Sequence, residues 1–188
     1  MLLPLDVLSL VLLSISTSPF AGILSVSATL VNVTIDDTFG DPATGDQISY
    51  APEGTWQPVS CAGCTAKPNP SQVSNSTWHE GTFNPDGARG SDQLLSAAVS
   101  FEGVAVYVFC VVTHSFTSPV GNSDMSFFLD GNLVGTFQQP PNGNATYEYN
   151  VPVYVNESLP PGQHTIVVVN GELGGNTSLT LLDYIVYT

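Results

Sequence analysis

Basic side chains are almost missing from this sequence: Lys67 and Arg89 stand against sixteen acidic residues, for a formal net charge of −14. Such a surface repels phosphate backbones and anionic headgroups, which excludes nucleic acid and acidic membranes as partners. Charge of either sign is scarce, at 10% of residues, while 43% are hydrophobic. That balance excludes a disordered chain and leaves solubility to Ser, Thr, Asn, Gln and Gly, or to sugars attached to them. The three histidines, His79, His114 and His164, are too few and too scattered to spell a triad. A Gly-x-Ser-x-Gly elbow, a His-Glu-x-x-His zinc motif and a phosphate-binding glycine loop are all lacking, so no catalytic residue is assigned and the chain reads as a non-enzyme. Acids such as Asp124 and Asp130 read as solvated turn residues, because a glycosidase pair is defined by its separation in space.

Long amphipathic stretches with a helical period are missing too. In their place stand short apolar runs rich in β-branched and aromatic residues, punctuated by Gly, Pro, Asn, Ser and Asp. The pattern predicts strands over residues 29–35, 47–50, 93–101, 104–112, 126–129, 133–137, 146–155, 163–169 and 178–187. Runs 104–112 and 165–169 are apolar on both faces, which places them at the centre of an all-β, two-sheet antiparallel β-sandwich. Phe101-Glu102-Gly103-Val104 and Leu129-Asp130-Gly131-Asn132 each set Gly between apolar runs, as hairpins require. Residues 51–89 are rich in Pro, Ser, Asn and Gly and show little periodicity. A segment of that kind is either a functional loop or a decorated one pinned by a local disulfide.

Residues 1–28 read as a secretory signal peptide, with an apolar stretch over 7–15 and small residues at Val26-Ser27-Ala28, which leaves one β-sandwich domain over 29–188. No later apolar run reaches about 18 residues, so no membrane-spanning segment is expected after the signal. Acceptor sequons begin at Asn32, Asn75, Asn144, Asn156 and Asn176, and with the signal they predict a secreted, extracellular glycoprotein. The spacing of Cys61-Ala62-Gly63-Cys64 fits a redox pair, half of a zinc site or a structural disulfide, and an oxidising compartment favours the disulfide. Cys110, inside an apolar run, reads as a buried small hydrophobe.

Sugar binding requires exposed aromatic faces beside amides or carboxylates. Trp56, Trp78, Tyr147 and Tyr149 are the candidates for glycan stacking, each with core packing as the competing reading. With Lys67 and Arg89 the only basic groups, a neutral glycan fits better than a uronic acid.

The C-terminal stretches LPPGQHTIVVV (159–169) and LTLLDYIVY (179–187) resemble the last two core strands of galactose-binding-like jelly rolls, among them carbohydrate-binding modules of families 6 and 35. Together with Asp36-Asp37, Trp56, the Cys61 and Cys64 pair, Trp78-His79 and Phe127-Phe128-Leu129-Asp130-Gly131, the chain also resembles secreted or membrane-anchored ectodomains of mushroom-forming fungi. The resemblance implies a jelly-roll sandwich. It further implies a structural calcium ion held by acids of the first and final strands, where Asp36, Asp37 and Asp183 stand; no other cofactor is expected. Two functions follow. One is a non-catalytic secreted or cell-surface domain that recognises neutral glycan or a cell-surface protein; the other is a structural or shielding wall glycoprotein with no specific ligand.

Overall fold

Alternation of apolar and polar side chains sets the long strands: Leu95, Ala97, Val99 and Phe101 turn inward, as do Met125, Phe127 and Leu129, and His164, Ile166 and Val168. The computed structural model describes residues 30–85 and 93–188; the expected signal peptide and Arg89 lie outside them. The strands of the described residues are β1 (Val33–Asp36), β2 (Ser49–Ala51), β3 (Trp56–Pro58), β4 (His79–Phe83), β5 (Leu95–Gly103) and β6 (Val106–Thr113). They continue with β7 (Ser123–Leu129), β8 (Asn132–Gln139), β9 (Tyr147–Asn156), β10 (Gly162–Asn170) and β11 (Ser178–Tyr187). One sheet runs β3-β4-β11-β6-β9, with β1 also on β11, and the other runs β2-β5-β10-β7-β8. All pairings are antiparallel. From β4 onward the chain changes sheet at every connection except β7 to β8, which is the path of a jelly-roll sandwich. β6 and β10 hold the interior positions that their two-faced hydrophobicity required. Among the described residues, no helix is long and apolar enough to cross a membrane.

The turn between β7 and β8 is the expected hairpin, with Asp130 and Gly131 at φ 51° and 79°, as a two-residue primed turn demands. His164 locks it from β10: Nδ1 lies 2.7 Å from Asp130 Oδ2 and Nε2 lies 2.8 Å from the Pro160 carbonyl. Both ring nitrogens face acceptors, an arrangement that the doubly protonated ring satisfies best. The bond to Asp130 holds the His164 pKa above its ordinary value.

The expected hairpin at Gly103 is corrected, because β5 and β6 belong to different sheets and the turn is a crossover. Glycine is required there for another reason. A Cβ at position 103 would come within 2.6 Å of the Thr188 carbonyl oxygen, which accepts a 2.7 Å hydrogen bond from the Val104 N–H.

The region expected to be irregular holds two short strands, β3 and β4. Beyond β3, the chain from residue 59 to 78 lies over the outer face of the β11 sheet as a cover. Ala66 and Trp78 pack there on Val111, Leu179 and Leu181 as a second, smaller core. Tyr147 Oη and Tyr149 Oη, both from β9, pin the cover by accepting the N–H groups of Lys67 and Asn69, at 2.7 and 2.8 Å. A disulfide joins Cys61 and Cys64 within it. Cys110 is free and fully buried in the main core, and burial pushes its thiol pKa well up. Denatured, unreduced protein should therefore show one reactive thiol in an Ellman titration; finding three would remove the disulfide.

Candidate functional site

A bulge in β11 organises the face that carries the expected site residues. The register of β11 on β6 shifts between Leu182 and Tyr184, so Asp183 is the extra residue. Leu182 and Ile185 then both point into the core, while Tyr184 turns outward and stacks on Phe109 with ring centroids 4.6 Å apart. The same bulge aims the Asp183 carbonyl at the Asp37 N–H (3.2 Å) and Asp183 Oδ1 at the Ser74 N–H (2.8 Å).

Asp36 and Asp37 arrive beside it because β1 pairs with the second half of β11. Asp36 Oδ1 accepts the N–H groups of Thr38 and Phe39 at 3.1 and 3.0 Å, closing the turn that follows β1. Its Oδ2 accepts from Ser74 Oγ at 3.0 Å and Asn75 Nδ2 at 2.8 Å. Asp37 accepts from His79 Nδ1 (2.7 Å), Thr38 Oγ1 (2.8 Å) and Thr77 Oγ1 (2.6 Å). The three aspartates are buried, and burial, then the like charges of Asp37 and Asp36, pushes the Asp183 carboxyl up to about 7.

Calcium requires about six to eight oxygen ligands. Both oxygens of Asp36 and both of Asp37 already accept from N–H or O–H donors, and only Asp183 Oδ2 lacks a partner. Among the described residues, no group of three or more His, Cys, Asp or Glu is arranged to hold a metal ion. Asp36, Asp37 and Asp183 are thus brought together, as the resemblance implied, but around hydrogen-bond donors; as arranged they do not fit the ion.

The tryptophans need a correction as stacking residues, since each is 5% exposed. Trp56 belongs to the inter-sheet core and lies so close to β4 that a Cβ at Gly81 would sit 2.9 Å from its ring. Trp78 is sealed in the small core by the cover. Neither has a face for a sugar. Tyr147 and Tyr149 are half-buried and hold the cover, but Tyr149 also borders open space.

That space is a shallow cleft of about 600 Å³ where the cover meets β9 and β11, within the roughly 300–1,000 Å³ typical of ligand sites. Tyr149 and Tyr184 wall it beside the side-chain amides of Gln72 and Asn150 and the hydroxyls of Ser71 and Ser74, and none of the described residues that line it is charged. Tyr184 Oη donates to Asn150 Oδ1 at 3.1 Å, leaving the amide NH2 as a donor. Asn150 holds φ at 54°, in the left-handed region that asparagine tolerates better than most residues. Tyr184, Asn150 and Gln72 carried no signal in the sequence: strict alternation groups Tyr184 with the inward Leu182, and only the bulge reverses it.

Of the sequon asparagines, Asn32, Asn75, Asn144 and Asn176 are exposed and Asn156 is half-buried.

Among solved structures, the chain is similar to a family 35 carbohydrate-binding module from Clostridium thermocellum, at 10% identity and a TM-score of 0.48, covering 84% of this chain and 97% of that one. It is also similar to an exo-β-1,3-galactanase from Phanerochaete chrysosporium, at 13% identity and a TM-score of 0.44, over 85% of this chain and 30% of that one. A third is a cycloisomaltooligosaccharide glucanotransferase from Paenibacillus sp., at 16% identity and a TM-score of 0.40, over 60% of this chain. This chain spans 15% of the length of the glucanotransferase. No family model matches the chain, and no curated protein does.

Proposed function

We propose that this chain is a non-catalytic domain that recognises neutral glycan outside the cell, through the cleft between Tyr149 and Tyr184. The observation that carries this reading is the lining of that cleft: two partly exposed aromatic rings, two side-chain amides and two hydroxyls, with no charge among them. Aromatic faces pack on the C–H faces of a sugar ring, and amides match hydroxyls that both donate and accept. An uncharged lining favours a neutral sugar over a uronic acid. The buried aspartates, held by donors from the cover, act as structural ties and not as an acid–base pair. A short-range disulfide suits an oxidising compartment, and most sequon asparagines are open to glycosylation.

Calorimetric titration with neutral wall oligosaccharides tests the reading. Tyr184→Ala should weaken binding about tenfold, and the exposed Gln72→Ala should weaken it without changing the melting temperature. Folded protein that binds no neutral glycan would overturn the proposal and leave the shielding role to pursue.

A further inference from the structure

A second cavity, of about 530 Å³, opens at the β3–β4 edge. Thr55 and Gln57 line it from the first of these strands and its approach, Glu80 and Thr82 line it from the second, and the Cys61–Cys64 loop closes one side. Gln57 and Glu80 face each other in register, so their side chains share the outer face of the sheet.

Glu80 is only 7% exposed. Burial pushes its carboxyl pKa up, and Oε2 is buried with no partner. A buried carboxylate oxygen without a donor is destabilising, and it is relieved by whatever brings a donor to it. Glu80 is the only ionisable side chain among the described residues that line this cavity. The Lys67 ammonium lies 3.4 Å from the Cys61 carbonyl and acts on the Glu80 charge from there without hydrogen-bonding to Oε2. A cationic N–H donor would complete Glu80, and a chain with a net charge of −14 draws cations in. Beside the disulfide and Val120, the lining includes threonine hydroxyls and the Gln57 amide, which match hydroxyl groups beside that amine.

We infer that this cavity binds a free amine carried on a hydroxyl-rich ring, an amino sugar with its nitrogen unacetylated, with the ammonium on Glu80 and the hydroxyls on Gln57, Thr55 and Thr82. This site is separate from the Tyr184 cleft and does not depend on it. Calorimetry near neutral pH, with glucosamine oligomers against their N-acetylated and glucose counterparts, tests it on the whole secreted protein. The glucosamine oligomer should bind at least ~tenfold tighter than either counterpart, and Glu80→Gln should abolish that preference. Thr82→Phe, which fills the cavity from an exposed position, should abolish it too, whereas Tyr184→Ala should leave it intact. Equal affinity for free and acetylated amines overturns the inference, as does a preference that survives Thr82→Phe. Should Glu80→Gln fail to fold, the Thr82→Phe comparison decides alone. A preference lost only in Tyr184→Ala would move amine recognition to the first cleft and overturn the assignment to Glu80.

Discussion

Replacing Asp36 with alanine is expected to lower the folding free energy by about 3–5 kcal/mol, the range for breaking a buried, charge-assisted network. Two pieces of chain meet on this one carboxylate. Thr38 and Phe39 donate from the turn after β1, and Ser74 and Asn75 donate from the cover. Alanine leaves these donors without their acceptor, and each such loss costs about 1–3 kcal/mol where the group stays buried, less when summed, because a collapsed network shares its loss. Thr34→Ser, at an exposed position on the same strand and keeping the Asn32 sequon, should change stability by no more than about 0.5 kcal/mol. Urea unfolding of the two variants measures the difference. The same network predicts that a chelator leaves the melting temperature unmoved, since donors from Thr38, Ser74, Asn75, Thr77 and His79 occupy the carboxylates. A melting temperature that falls in chelator would place an ion where these donors stand.

Where local periodicity decides structure, the sequence was a good guide. β6 and β10 are central because both faces of each are apolar, and Asp130-Gly131 makes the hairpin that its residue types favour. Gly103 misled because its glycine answers to a distant constraint, the approach of Thr188, and not to a turn. β3 and β4 escaped because three and five residues, one of them Gly81, are too short to show a period. The candidate site was legible in part. Asp36, Asp37 and Asp183 converge, since strand order follows from the fold, but what faces them comes from Ser74, Asn75 and Thr77 in a segment without pattern. Trp56 and Trp78 sit in that same region, and their burial depends on the cover folding down over the sheet. Tyr184 depends on a single inserted residue, which no alternation rule reports.

That inserted residue also contributes to the pH response of the sandwich. Asp183→Asn is expected to be more stable than the parent protein at about pH 8, by up to about 4 kcal/mol, and nearly equal to it at about pH 4. The carboxyl titrates near 3.8 in the unfolded chain and is pushed up to about 7 in the folded one, by burial first and then by Asp37 and Asp36. Between those values the folded state holds a proton that the unfolded state has released, so stability declines as pH rises and levels off above about 7. The groups around Asp183 do not reverse this sign. His79 is engaged with Asp37, and the nearby Tyr184 and Cys110 are held protonated, Cys110 chiefly by its own burial. Asparagine keeps the acceptor for the Ser74 N–H and has no charge to bury, so it removes the slope while preserving the tie to the cover. Chemical unfolding at both pH values separates the alternatives. A variant equally destabilised at both would mean that ionised Asp183 is matched by a cation, and would return the three aspartates to a metal site.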